Sequence, residues 1–295
     1  MQNFHKYLSR TDAEEKWGFY ITTAGCSKTE GNQSYPINQD HPDTHNFTWN
    51  KGRILNDYYI VFISKGRGVF ETADQQVYPI DAGACFLLFP GAWHRYKPSY
   101  KTGWEEYWMG FNGYYPRKLF KAGFFNKKKP VVYTGLNEEL LAAFQQLLTK
   151  IQNGLPGYHM QITGTALSIL SLIYNSTLFG KENSDDELAY ISKAKFILLD
   201  AIEETVSMPA LAKQLAVSYS KFRKDFKQVT GQPPNQYHLE IRLKRAAELL
   251  CTTHLTINDI ADQTGFATVF YFSRSFKKVY KISPKTYRNQ SRASQ

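Results

Sequence analysis

Two stretches near the end of the chain repeat one pattern of residue types. Phe222-Arg223-Lys224-Asp225-Phe226-Lys227-Gln228-Val229 stands fifty positions before Phe272-Ser273-Arg274-Ser275-Phe276-Lys277-Lys278-Val279. Phe222, Phe226 and Val229 recur at i, i+4 and i+7, as do Phe272, Phe276 and Val279, which predicts one buried stripe on each of two helices. Ser220, Arg223, Lys224 and Lys227 then point outward on the first helix. Phe270, Tyr271, Arg274, Lys277 and Lys278 do so on the second. Arg and Lys near a helix N-terminus can hydrogen-bond guanine O6 and N7, and Lys farther along reaches phosphate. The chemistry expected of these side chains is recognition of double-stranded DNA.

The elements that must position them are legible as well. Leu211-Ala212-Lys213-Gln214 matches Ile260-Ala261-Asp262-Gln263 at an offset of forty-nine, so the second turn holds one extra residue. Each unit reads as a short helix, a turn and a longer helix. Leu211, Ala212 and Leu215 face inward before the turn Ala216-Val217-Ser218; Ile257, Ile260 and Ala261 do so before Gly265. Small Ala at the inner contact lets two helices cross closely, as a helix-turn-helix requires. Between the units, Asn235 to Leu250 reads as one long helix, with Leu239, Leu243, Ala246, Ala247 and Leu250 on its apolar face. It would span roughly 24 Å, enough to hold two recognition helices near one DNA turn apart, about 34 Å.

Charge follows the same division. Residues 191–295 carry 17 Lys and Arg against 8 Asp and Glu, a net of +9. Residues 1–190 carry 19 against 18, a net of +1. The excess implies a polyanionic partner for the C-terminal third. Cys26, Cys85 and Cys251 are widely spaced, which excludes a disulfide framework and a zinc cluster and suits a reducing compartment. No signal peptide and no apolar run of about 18 residues is present, so a cytoplasmic protein with no membrane partner is expected.

Residues 1–135 are rich in aromatic and β-branched runs such as Tyr58-Tyr59-Ile60-Val61-Phe62-Ile63, punctuated by turns such as Asp81-Ala82-Gly83, which predicts an antiparallel barrel or sandwich. Over 136–180, Asn137 as N-cap precedes a stripe of Leu140, Leu141, Phe144, Leu147, Leu148 and Ile151; a second helix from Tyr158 to Phe179 carries Ile162, Ala166, Ile169, Leu170 and Ile173. This hairpin serves as core, as dimer interface, or as both. The polar, acidic stretch 181–187 reads as a linker, and 188–295 as the DNA-binding domain. The fold class is thus α+β multidomain: a β-barrel, a helical hairpin and an all-α tandem helix-turn-helix.

Leu211–Tyr237 and Ile260–Tyr287 resemble the paired motifs of the AraC/XylS family of bacterial transcription regulators. Ile257-Asn258-Asp259-Ile260-Ala261, Gly265-Phe266, Tyr271-Phe272-Ser273-Arg274 and Ile282-Ser283-Pro284 follow its signature. Lys281 departs from it where a helix-ending Gly is usual. So does Phe270, a candidate either for contact with a thymine methyl or for packing on its neighbours. With an extra turn residue in the second motif, the resemblance leads us to expect asymmetric half-sites, one per motif.

Gly83 to His94 resembles the second motif of cupin barrels. In family regulators such a barrel binds a small effector, often a sugar. Arg53, His94, Tyr96, Glu106 and Trp108 resemble pocket-lining positions of sugar-responsive members, and the segment before Gly25 is a candidate arm over the pocket. A cupin metal site needs a second His cluster, but Lys65-Gly66-Arg67-Gly68-Val69-Phe70-Glu71 has no histidine, and His41 and His45 are isolated. The reading is therefore a regulator with no catalytic residues, metal or cofactor, binding DNA and a carbohydrate effector as a homodimer. RNA polymerase remains open as a partner. The alternative is a small-molecule-modifying cupin enzyme fused to a DNA-binding domain.

Overall fold

The computed structural model describes residues 3–36, 48–179 and 189–293. His41, His45 and the linker expected at 181–187 lie outside the described residues. Contacts divide the chain into two units, Met1–Asn183 and Ser184–Gln295.

In the first unit the β-branched and aromatic runs form β1 (Phe4–Tyr7), β2 (Tyr20–Thr29), β3 (Arg53–Ile54), β4 (Tyr58–Thr72), β5 (Val77–Asp81), β6 (Ala84–Leu88), β7 (Trp93–Pro98), β8 (Trp104–Asn112) and β9 (Val131–Tyr133). The order is β1-β2-β8-β4-β6-β9, with β5 and β7 also on β4 and β3 on β7. All these pairs are antiparallel. The long strand β4 belongs to two layers: its first half pairs β8 and β6, its second half β5 and β7. Because side chains alternate along a strand, Tyr59, Val61, Ile63 and Phe70 share one interior with Phe86, Leu88, Tyr96 and Trp104.

The outer face, with Ile60, Phe62, Tyr107 and Met109, is buried too. It is covered by helices. Besides α1 (Asp12–Trp17) and α2 (Tyr114–Lys121), the unit contains α3 (Glu138–Asn153) and α4 (Tyr158–Phe179). Asn137 caps α3 by accepting from the Leu140 N–H, and the Phe144 ring stacks on Phe62 at 6.0 Å. Ile162, Ala166, Ile169, Leu170 and Ile173 of α4 are buried, so the hairpin stripe is core.

The second unit comprises α5 (Ala189–Asp200), α6 (Met208–Gln214), α7 (Tyr219–Thr230), α8 (Pro234–Thr252), α9 (Ile257–Gln263), α10 (Val269–Tyr280) and α11 (Pro284–Ala293). Two cores form. Leu211, Ala212, Leu215, Phe222 and Phe226 pack with α5. Ile260, Ala261, Phe266, Phe272 and Phe276 pack with Leu243, Ala246, Ala247 and Leu250 of α8. The central helix contributes to both, since Tyr237 and Ile241 reach the first core.

One expectation is corrected. Val229 and Val279 are 50% and 41% exposed, not buried. The inward stripe is instead Phe222, Asp225 and Phe226 on α7 and Phe272, Ser275 and Phe276 on α10. Both valines stand three residues beyond the last buried phenylalanine, in the final turn of their helices, where the chain leaves the core.

Candidate DNA interface and effector pocket

Capping fixes where the two long helices of the repeats begin. Ser218 accepts from the Lys221 N–H at α7, and Thr268 accepts from the Tyr271 N–H at α10. Turns set their entry. Ala216 and Gly265 both hold positive φ, +57° and +68°, and the N–H groups of Val217 and Phe266 donate to the Ala212 and Ala261 carbonyls. A Cβ on Gly265 would lie 2.8 Å from the Glu203 backbone, so this turn admits no side chain. The extra residue of the second turn is Ala267, between Phe266 and the capping Thr268.

Ser220, Arg223, Lys224 and Lys227 are exposed on α7; Phe270, Tyr271, Arg274, Lys277 and Lys278 are exposed on α10. Arg223 of α7 and Tyr271 of α10 both border one cleft of about 550 Å³ beside α8. Lys221 is different. Its Nζ donates to Asp225 at 2.8 Å, and the Tyr190 hydroxyl of α5 donates to the same carboxylate. These two donors hold the Asp225 carboxyl below its ordinary pKa and bolt α7 to α5.

Two buried polar side chains of α8 complete the frame, and hydrophobic periodicity gave no sign of them. Arg242 is 8% exposed; its Nε donates to the Thr264 carbonyl at 2.6 Å and its guanidinium lies 4.1 Å from the Phe266 ring centre. One turn earlier, His238 meets the Ala201 carbonyl at 3.3 Å. Burial, reinforced by Arg242, lowers His238 to about 4, so at neutral pH the ring is uncharged and donates from Nε2.

In the barrel, β3, β7 and β8 bring Arg53, His94, Tyr96 and Glu106 together. Arg53 Nε donates to His94 Nε2 at 3.3 Å, and its NH2 group donates to the Tyr96 hydroxyl. His94 Nδ1 then donates to the Ala92 carbonyl. Burial, then the Arg53 charge, holds His94 down to about 3, so the ring is neutral. Its Nε2 lone pair is turned to a guanidinium rather than to a cation site. Among the described residues no group of three His, Cys, Asp or Glu side chains converges as metal ligands would.

Glu106 is 5% exposed and accepts from the Tyr35 hydroxyl at Oε1, 3.2 Å. Burial raises it to about 7, against the opposing pull of Tyr35, Arg53 and the Trp104 indole N–H. Its Oε2 and the Trp104 Nε1 are both buried, and neither completes a well-formed hydrogen bond among the described residues, although the indole N–H lies close enough to the carboxyl to lower its pKa. Trp108, two positions on, is half-buried at the edge of the interior cluster. A Cβ on Gly25 would lie 2.3 Å from the Trp108 ring, so glycine on β2 makes room for it. Sequence reasoning missed Tyr35, Tyr59 and Trp104. Period-two alternation from Glu106 back to Trp104 could have found one of them; Tyr35, in a loop before Pro36, left no signal. The N-terminal segment forms β1, an edge strand paired with β2, and its Tyr7 lies within electrostatic reach of Arg53 and Tyr96.

Residues 37–168 match the family model described as AraC-like ligand binding domain, and residues 211–290 match that of a helix-turn-helix domain. The chain belongs to the AraC family. Similar AraC-family relatives include the Msm operon regulatory protein of Streptococcus mutans, 26% identical over 80% of this chain and 86% of that protein. The lactose operon transcription activator of Staphylococcus xylosus is 27% identical over 77% and 82%. The raffinose operon transcriptional regulatory protein RafR of Pediococcus pentosaceus is 22% identical over 82% and 88%. This AraC-family chain is thus a DNA-binding regulator with an N-terminal ligand-binding domain. None of its described helices is long and apolar enough to cross a membrane.

Proposed function

We propose that the chain is a cytoplasmic transcription regulator whose barrel binds a neutral carbohydrate and whose tandem motifs bind an asymmetric operator. One observation carries the effector assignment. Glu106 Oε2 is a buried acceptor and Trp104 Nε1 a buried donor within its electrostatic reach, and neither completes a well-formed hydrogen bond among the described residues. Leaving such groups unmet costs about 1–3 kcal/mol apiece. A sugar hydroxyl both donates and accepts, so a single type of ligand group can satisfy both. Arg53 and Tyr96 supply further polar contacts, the neutral His94 positions Arg53, and Trp108 offers an aromatic surface to sugar C–H groups. The lactose and raffinose operons for which two of the relatives are named support the same ligand class.

For DNA, Ser220, Arg223, Lys224 and Lys227 engage one half-site and Phe270, Tyr271, Arg274, Lys277 and Lys278 the other. Arg223 and Arg274 are assigned to base edges, Lys227 and Lys278 to phosphates. We divide the chain into an effector domain at 1–135, a helical hairpin at 136–180 through which two copies pair, a linker at 181–187 and the DNA-binding domain at 188–295. RNA polymerase is the partner expected if the regulator activates. A thermal-shift screen of the full chain against neutral mono- and oligosaccharides tests the effector assignment. A saccharide that raises the melting temperature of the native chain, and fails to do so with Glu106→Ala, supports it. No shift with any saccharide, or a shift that Glu106→Ala leaves intact, counts against it.

A further inference from the structure

Phe270 is 75% exposed, whereas Phe196, Phe222, Phe226, Phe266, Phe272 and Phe276 of the same unit are all at 3% or less. The fold does not require it there. Its ring meets no other aromatic ring among the described residues; Phe266 turns instead to Tyr271 and Phe272, at 5.9 and 5.2 Å. Packing on its neighbours therefore does not explain it. The position is fixed from below, because Thr268 caps α10 and Phe272 is fully buried, which leaves Phe270 outward in the first helical turn.

Phe270 also heads a stripe. Arg274 and Lys277 follow at i+4 and i+7, both exposed on the same side of α10. Base edges in a major groove offer an apolar side chain a single target, the C5 methyl of thymine. The matching place on α7 is Ser220, which has no apolar surface to offer.

We infer that Phe270 makes the half-site of the second motif depend on a thymine methyl, whereas that of the first motif has no such dependence. Four residues of helix rise about 6 Å, close to two base-pair steps of 3.4 Å, which places this thymine within about two base pairs of the guanine read by Arg274. This rests on the DNA-binding assignment above and adds a base to it.

The test uses duplexes selected from a random-sequence pool by the full chain. Deoxyuridine then replaces each thymine in turn, which removes a methyl and nothing else. The expected result is a loss of about fourfold at one position, the equivalent of uncovering one methyl group. Phe270→Ala should bind the thymine and uracil duplexes equally, with an unchanged melting temperature because the ring is exposed. Phe270→Leu should keep part of the preference.

No sensitive position, or equal sensitivity in Phe270→Ala, would overturn the inference. So would unchanged DNA affinity of Phe270→Ala together with lost transcription, which would assign the ring to a protein partner. A pool that enriches no sequence overturns the regulatory reading and this inference with it, and does so before any uracil is introduced.

Discussion

Arg242 Nε donates to the carbonyl of Thr264 across 2.6 Å, tying the central helix of the DNA-binding unit to the turn of its second motif. Thr264 is itself fully buried and its hydroxyl donates back to Ile260, so the clip sets where α10 starts. Arg242 is thereby a positioning residue for Arg274 and Phe270. Arg242→Ala should cost about 2 kcal/mol, the scale of a charge-assisted hydrogen bond. It should lower specific DNA affinity more than non-specific affinity, which paired titrations of selected and scrambled duplexes would show. Equal loss on both would assign Arg242 to folding alone.

Lys281 ends α10 in the left-handed region at φ +67°, where Gly231 ends α7 at +79°. The cap hydrogen bond to the Lys277 carbonyl forms all the same. A side chain there costs on the order of 1 kcal/mol. Lys281→Gly is therefore expected to stabilise the protein by about 1 kcal/mol in denaturant titrations, and no gain would mean that the lysine makes good the strain.

Within the second motif, loss of a base contact and loss of a phosphate contact should have different signatures. Arg274→Ala is expected to cost about 1–3 kcal/mol on the selected duplex and to relax preference at one or two base pairs. Lys278→Ala should weaken all sequences alike and reduce the slope of log affinity against log salt by about 1. Salt titrations that gave both variants the same slope and the same sequence profile would contradict the assignment.

Burial lifts Glu106 from 4.5 to about 7, so the native chain keeps a proton that the unfolded chain has lost. Stability contributed by that proton is complete below pH 4.5 and is lost as pH rises through 7. Glu106→Gln should flatten melting temperature against pH in this window and be the more stable protein at pH 8, by at most about 3 kcal/mol. A saccharide donating to Glu106 favours the ionised form, so its affinity should rise from pH 6 to 8 in the native chain and stay level in Glu106→Gln.

What the residues revealed in advance was set by periodicity. Phe222, Phe226, Phe272 and Phe276 repeat at a spacing only a buried helix face demands, and Ala212 and Ala261 mark the close crossings. Val229 and Val279 fit the same spacing and yet are exposed, because a wheel carries no knowledge of where along a helix the packing stops. Arg242 and His238 were illegible for the opposite reason: polar residues on a basic helix read as solvated, and only the fold brings the Thr264 and Ala201 carbonyls to them. In the barrel, Arg53, His94 and Glu106 were visible through family resemblance. Tyr35 reaches Glu106 from 71 positions away, a distance no local pattern spans.

The central claim is that one chain couples a polyol pocket built around Glu106 to sequence-specific DNA binding. Affinity of the full chain for its selected duplex, measured with and without each saccharide of a neutral panel, tests it most directly. At least one saccharide should change that affinity by about fivefold or more, the lower end of ordinary allosteric coupling, and Glu106→Ala should abolish the change while leaving affinity without saccharide intact. A duplex bound equally well under every saccharide that the barrel demonstrably binds would contradict the account.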